Sequence, residues 1–89
     1  MDSRNFIQQA TVLIKDIKDH QVVSFTRTHE EVQRTEQQIQ KRLNNLFSSL
    51  QNPTLMTANK LADEALAAGF QVNQRVLDGL DQAERCWGN

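Results

Sequence analysis

Tyrosine is missing from this chain, and cysteine, proline and tryptophan each occur once. A lone Cys86 rules out an internal disulfide, so the bridged framework of many small secreted folds is excluded. That usage suits a reducing compartment and leads to the expectation of a cytoplasmic protein. Pro53 is the only proline and glycine occurs three times, so most of the chain carries nothing that breaks a helix. Long apolar runs are lacking as well. Near the N-terminus, Val12 to Ile17 is interrupted by Lys15 and Asp16, which argues against a signal peptide. No segment approaches the roughly 20 apolar residues that cross a bilayer, so no membrane contact is expected.

Neither sign of charge dominates. Ten Lys and Arg are interspersed with 11 Asp and Glu, for a net charge of -1. The densest basic pair, Lys41-Arg42, runs into Leu43, Asn44 and Asn45 rather than further cations. Duplex binding rests on several phosphate contacts, so nucleic acid is disfavoured as a partner. Sparse aromatics also weaken base stacking or carbohydrate recognition.

A search for chemistry returns little. His20 and His29 have no cysteine partner and no His-Glu-x-x-His spacing, so no metal is expected. Cys86 has no imidazole near it in sequence and reads as a structural thiol. Glu30-Glu31 and Asp63-Glu64 are adjacent pairs, which diverge around a helix and do not form an acid/base couple. Phosphate loops, nucleophile elbows and calcium-loop patterns are missing. The expectation is a protein that is not an enzyme and carries no cofactor.

What the chain does contain is helical periodicity. From Thr28 to Leu50, Val32, Ile39, Leu43, Leu46 and Leu50 recur at three- and four-residue steps, with Glu36 completing the series. Thr28 is placed to cap this helix, and Glu31 stands three residues later, as in a capping box. Upstream, Phe6, Ile7, Ala10, Leu13, Ile14 and Ile17 form the face of a first helix, with Ser3 as its candidate cap. Between them, Val22, Val23, Phe25 and Thr26 crowd a helix and favour a turn, although the seam continues through Val22, Phe25 and His29 without a phase error. Gln51-Asn52-Pro53-Thr54 supplies a firm corner. Beyond it, Ala62, Ala65, Gly69, Val72, Val76, Gly79 and Ala83 hold helical spacing with no break at Gly69. Gly69 suits the left-handed end of a helix, but the unbroken phase favours one helix from about Leu55 to Arg85, ending near a Trp87 that anchors or frays.

The expected fold is all-α and a single domain over residues 1-89. It is a small antiparallel bundle of three helices, about 3-21, 28-50 and 55-85, with joints at 22-27 and 51-54. An extended helical hairpin that completes its core by oligomerisation is the other arrangement. The expected function is a noncatalytic protein-protein interaction module, such as a small adaptor or chaperone, whose partner is another helical protein or a copy of itself. A homo-oligomeric structural protein and a small helical DNA-binding regulator are the alternatives.

Ile39, Leu43, Leu46, Phe47 and Leu50 on the central helix, with Phe70, Leu77 and Leu80 opposite, are the candidate partner-binding residues. Leu46 and Phe47 are adjacent and widen the apolar face beyond a single two-helix contact, a demand that the first helix would also meet. Glu36 is the candidate specificity residue, since a polar group on an apolar seam selects register or partner. Placement at the edge of the core is favoured, because a buried unpaired carboxylate is costly. On either placement, Glu36→Leu is expected to raise the melting temperature.

Overall fold

The computed structural model describes the backbone over residues 3-50 and 56-87 and the side chains over residues 4-50 and 56-82. The Pro53 corner, the Ser3 cap and the side chains of Cys86 and Trp87 fall outside these. Within them lie four α-helices and no strand: α1 (Ser3–Val23), α2 (His29–Ser48), α3 (Met56–Ala67) and α4 (Gln74–Trp87).

The joint between α1 and α2 is a turn, as its β-branched residues suggest. One 3-10 turn, Ser24–Thr26, follows α1. Its hydroxyls donate back to the last carbonyls of the helix, Ser24 Oγ to Gln21 at 3.2 Å and Thr26 Oγ1 to Val23 at 2.8 Å. These bonds occupy acceptors that a helix end leaves orphaned. Arg27 and Thr28 are extended, and Thr28 Oγ1 accepts from the Glu31 amide at 3.2 Å, so α2 starts on the cap its sequence offers.

Helices α1 and α2 are antiparallel. Phe6 meets Phe47 with ring centroids 6.5 Å apart, Asp16 pairs with Arg42 at 2.8 Å, and His20 reaches Glu36, so rising numbers on one helix meet falling numbers on the other. Helix α3 lies along α1 in the same direction: Lys18 approaches Glu64 at 3.9 Å, and His20 faces Phe70 just beyond α3. This α1-α3 contact is the most extensive in the fold. It is close because its residues are small, Ala10 from α1 and Ala58, Ala62 and Ala65 from α3, all buried. Leu13, Ile17, Leu43 and Leu61 fill the centre. Of the expected α1 face, Ile7 is exposed.

The single helix expected over 55-85 is instead two. Gly69 has φ +89, where a side chain would be strained, and it ends α3. The Gly69 amide donates to Leu66 O at 3.1 Å and the Phe70 amide to Ala65 O at 2.9 Å, the paired closing bonds of a Schellman turn. Phe70 then drops into the core. Burial of that aromatic outweighs the helical phase that continues past Gly69, and phase alone does not register it. Asn73 opens α4, its Oδ1 accepting from the Arg75 amide at 2.9 Å. The bundle thus has four helices where three were expected.

The central leucines leave no slack. Leu43→Ala should destabilise the chain by about 3 kcal/mol in denaturant titration, through the lost burial together with the cavity left behind. Thr28→Ala should cost about 1 kcal/mol.

Candidate functional site

The side chains expected to grip a partner are turned into the chain itself. Ile39, Leu43, Leu46 and Phe47 on α2 are buried, as are Phe70 and Leu80, while Leu50 and Leu77 are partly buried against the same core. The wide face made by Leu46 and Phe47 does receive a second contact, and α1 supplies part of it through Phe6. In this conformation these residues hold the fold. Leu46 borders a groove between α1 and α2, and Phe47 and Leu50 border one beside α4, whereas Ile39, Leu43, Phe70 and Leu80 are enclosed by the chain's own helices.

Glu36 stands at the edge, with half of its side chain exposed, and Oε1 lies 3.4 Å from Nε2 of His20. His20 itself was not anticipated. It is 7% exposed and is the buried polar side chain among the described residues. The signal was present: Phe6, Ala10, Leu13, Ile17 and His20 follow steps of four, three, four and three, so the apolar stripe of α1 runs directly into the imidazole. With its proton on Nε2, the ring donates to Glu36 and its Nδ1 has no hydrogen-bond partner. Phe70 covers the ring, with centroids 6.4 Å apart. His29, by contrast, is the exposed first residue of α2.

Two surfaces are displayed outward. Val22 and Phe25 protrude where α1 gives way to the 3-10 turn, at 72% and 90% exposure. Three residues apart, they share a side. A shallow groove of about 490 Å³ runs between α1 and α2, with Val12, Leu13 and Leu46 on its floor and Gln9, Arg42 and Asn45 around it. Arg42 is already paired with Asp16 there. Among the described residues no three His, Cys, Asp or Glu side chains converge as a metal site would require, and no helix is long and apolar enough to cross a membrane. No family model matches the chain, nor does any curated protein or solved structure.

The His20 pairing reverses the expectation for Glu36. Glu36→Leu leaves both ring nitrogens of a buried imidazole without a protein partner, so stability should fall by roughly 1 kcal/mol. His20→Leu continues the apolar stripe and should be neutral or stabilising. Thermal melts of the two variants side by side check the pairing, and a rise for Glu36→Leu would refute it.

Proposed function

We propose that the chain is a noncatalytic helical interaction module, cytoplasmic, whose partner is another helical protein or a second copy of itself. The observation that carries this reading is the apolar pair Val22 and Phe25, held in water at the turn after α1. Isolated exposed apolar residues are ordinary. An aromatic ring almost entirely in solvent, beside a valine on the same side of a hydrogen-bonded turn, is a prepared contact. The turn holds the pair in place through the Ser24 and Thr26 hydroxyls, which lowers the entropy lost when a partner closes over it. The groove floored by Val12, Leu13 and Leu46 adds apolar area for a helix to lie on. An adaptor or chaperone role fits such contacts, because association needs surface and not convergent reactive groups. The Gln-, Asn- and Glu-rich exterior of α2 offers no cationic track for a nucleic-acid backbone, so a DNA-binding role is the weaker reading.

A double variant, Val22→Ser with Phe25→Ser, tests the assignment. Both side chains are exposed, so its melting temperature should stay within a few degrees of the parent. Proteins recovered on the immobilised parent chain should be lost on the variant. Equal recovery on both would remove the turn from the binding surface, and a collapse in stability would show that the pair serves the fold.

A further inference from the structure

We propose that α3 and α4 also exist as one continuous helix, and that in this state two copies of the chain exchange α4, each α4 covering the other copy's core. The inference rests on reading the chain as an association module, and it names the partner as a second copy.

Three observations converge on the bend between α3 and α4. First, Ala62, Ala65, Gly69, Val72 and Val76 keep three- and four-residue spacing straight across it, with no proline in between. A bend normally coincides with a change of helical phase, and here the apolar face remains in register on both sides. A straightened hinge therefore presents one unbroken stripe.

Second, beside the burial of Phe70, the bend is held by polar contacts. The Gly69 and Phe70 amides close the end of α3, Asn73 caps α4, and Gln40 of α2 ties down the segment between them. The Gln40 side chain grips both backbone groups of Gln71: Nε2 donates to the carbonyl and Oε1 accepts from the amide, each at 2.9 Å. Gln71 is exposed, so water competes for these bonds. A straight helix gives the same backbone groups partners four residues away, so opening replaces hydrogen bonds instead of abandoning them.

Third, α4 covers α2 incompletely. A groove of about 510 Å³ separates Asn44, Phe47 and Leu50 from Asn73, Val76 and Gly79. Phe47 and Leu50 belong to the set expected to grip a partner. The segment on the far side of that groove is α4, with Val76 and Gly79 lining it and Leu77 and Leu80 packed on the core. A second copy brings the identical helix, so exchange keeps the burial around these residues and confines the change to the hinge. The surroundings of Phe70, now below the turn, must alter, and with them those of Ala68 and Val72 in the hinge and of His20 beside the Phe70 ring.

Gly69 sets the balance. At φ +89 an alanine is strained, although an added methyl would meet no atom within 4 Å. In a continuous helix alanine is favoured over glycine. Gly69→Ala thus disfavours the bend and favours the straight form, and each dimer contains two hinges. Gln40→Ala removes the tie without touching the hinge backbone.

The test uses the full chain. Sedimentation from micromolar to millimolar concentration should show a monomer-dimer equilibrium, with the dissociation constant lowered at least about tenfold by Gly69→Ala and lowered also by Gln40→Ala. Far-ultraviolet circular dichroism should show helix gained on dimerisation as residues 68-73 join it, whereas unfolding would show helix lost. For direct evidence of exchange, a copy carrying Asn44→Cys is mixed with one carrying Arg75→Cys, both with Cys86→Ser, and treated with a flexible bis-maleimide. These positions flank the α2-α4 groove, so a cross-linked heterodimer is expected at high concentration. Dimers that gain no helix and no cross-link would overturn exchange while leaving self-association intact. Parent and Gln40→Ala chains that stay monomeric throughout would overturn it outright, and the Val22/Phe25 variant then judges the interaction module separately.

Discussion

Leu13, Ile17, Leu43 and Leu61 meet where α1, α2 and α3 converge, and their shared exclusion of water makes every other element possible. The two shorter helices of the bundle are not secure by themselves. Helices shorter than about 12 to 15 residues are marginal in water even with favourable sequences, and α3 and α4 have 12 and 14 residues. Burying a leucine contributes about 1.5 to 3 kcal/mol, so a few such residues decide whether the bundle forms. The alanines of α3 act on the same contact from another side. By bringing the α1 and α3 backbones close, Ala10, Ala58, Ala62 and Ala65 let the larger side chains reach one another.

Polar groups at the margin of this core act by position. His20 interrupts an apolar stripe where α1 approaches both Glu36 and Phe70, tying α2 and the α3-α4 turn to the last full turn of α1. Gln40 does comparable work a turn along, pairing its amide with the backbone of Gln71 much as a neighbouring strand would. Asp16-Arg42 and Lys18-Glu64 bridge helices at the surface, where screening by water keeps their contribution small. The fold is thus apolar in its energetics and polar in its registration.

The two features that point outward have different origins. Val22 and Phe25 are exposed because the chain must leave α1 there, and the hydroxyl bonds of Ser24 and Thr26 fix the exit. The bend at Gly69 exists because Phe70 gains more from the core than the continued helix gains from its hydrogen bonds. The first is set by hydrogen bonds within a few residues; the second is set by the packing of the core.

Local chemistry was enough to read much of this from the residues. The cap at Thr28, most of the inward faces of α1 and α2 and the break near Val22 follow from patterns within a few residues: a hydroxyl three positions before a glutamate, a stripe at helical spacing, a cluster of β-branched side chains. The division of α3 from α4 could not be read that way. Gly69 permits a turn and equally permits a helix, and the choice belongs to Phe70, whose burial depends on α1 and α2 being in place. The partners of His20 and Glu36, sixteen residues apart, and of Gln40 and Gln71, thirty-one apart, likewise depend on how helices lie beside one another. So does the fate of Ile39, Leu43, Leu46 and Phe47. Periodicity establishes that they must be covered, but whether the cover comes from the same chain or another is set by three-dimensional packing, because an apolar side chain carries no record of which surface will exclude water from it.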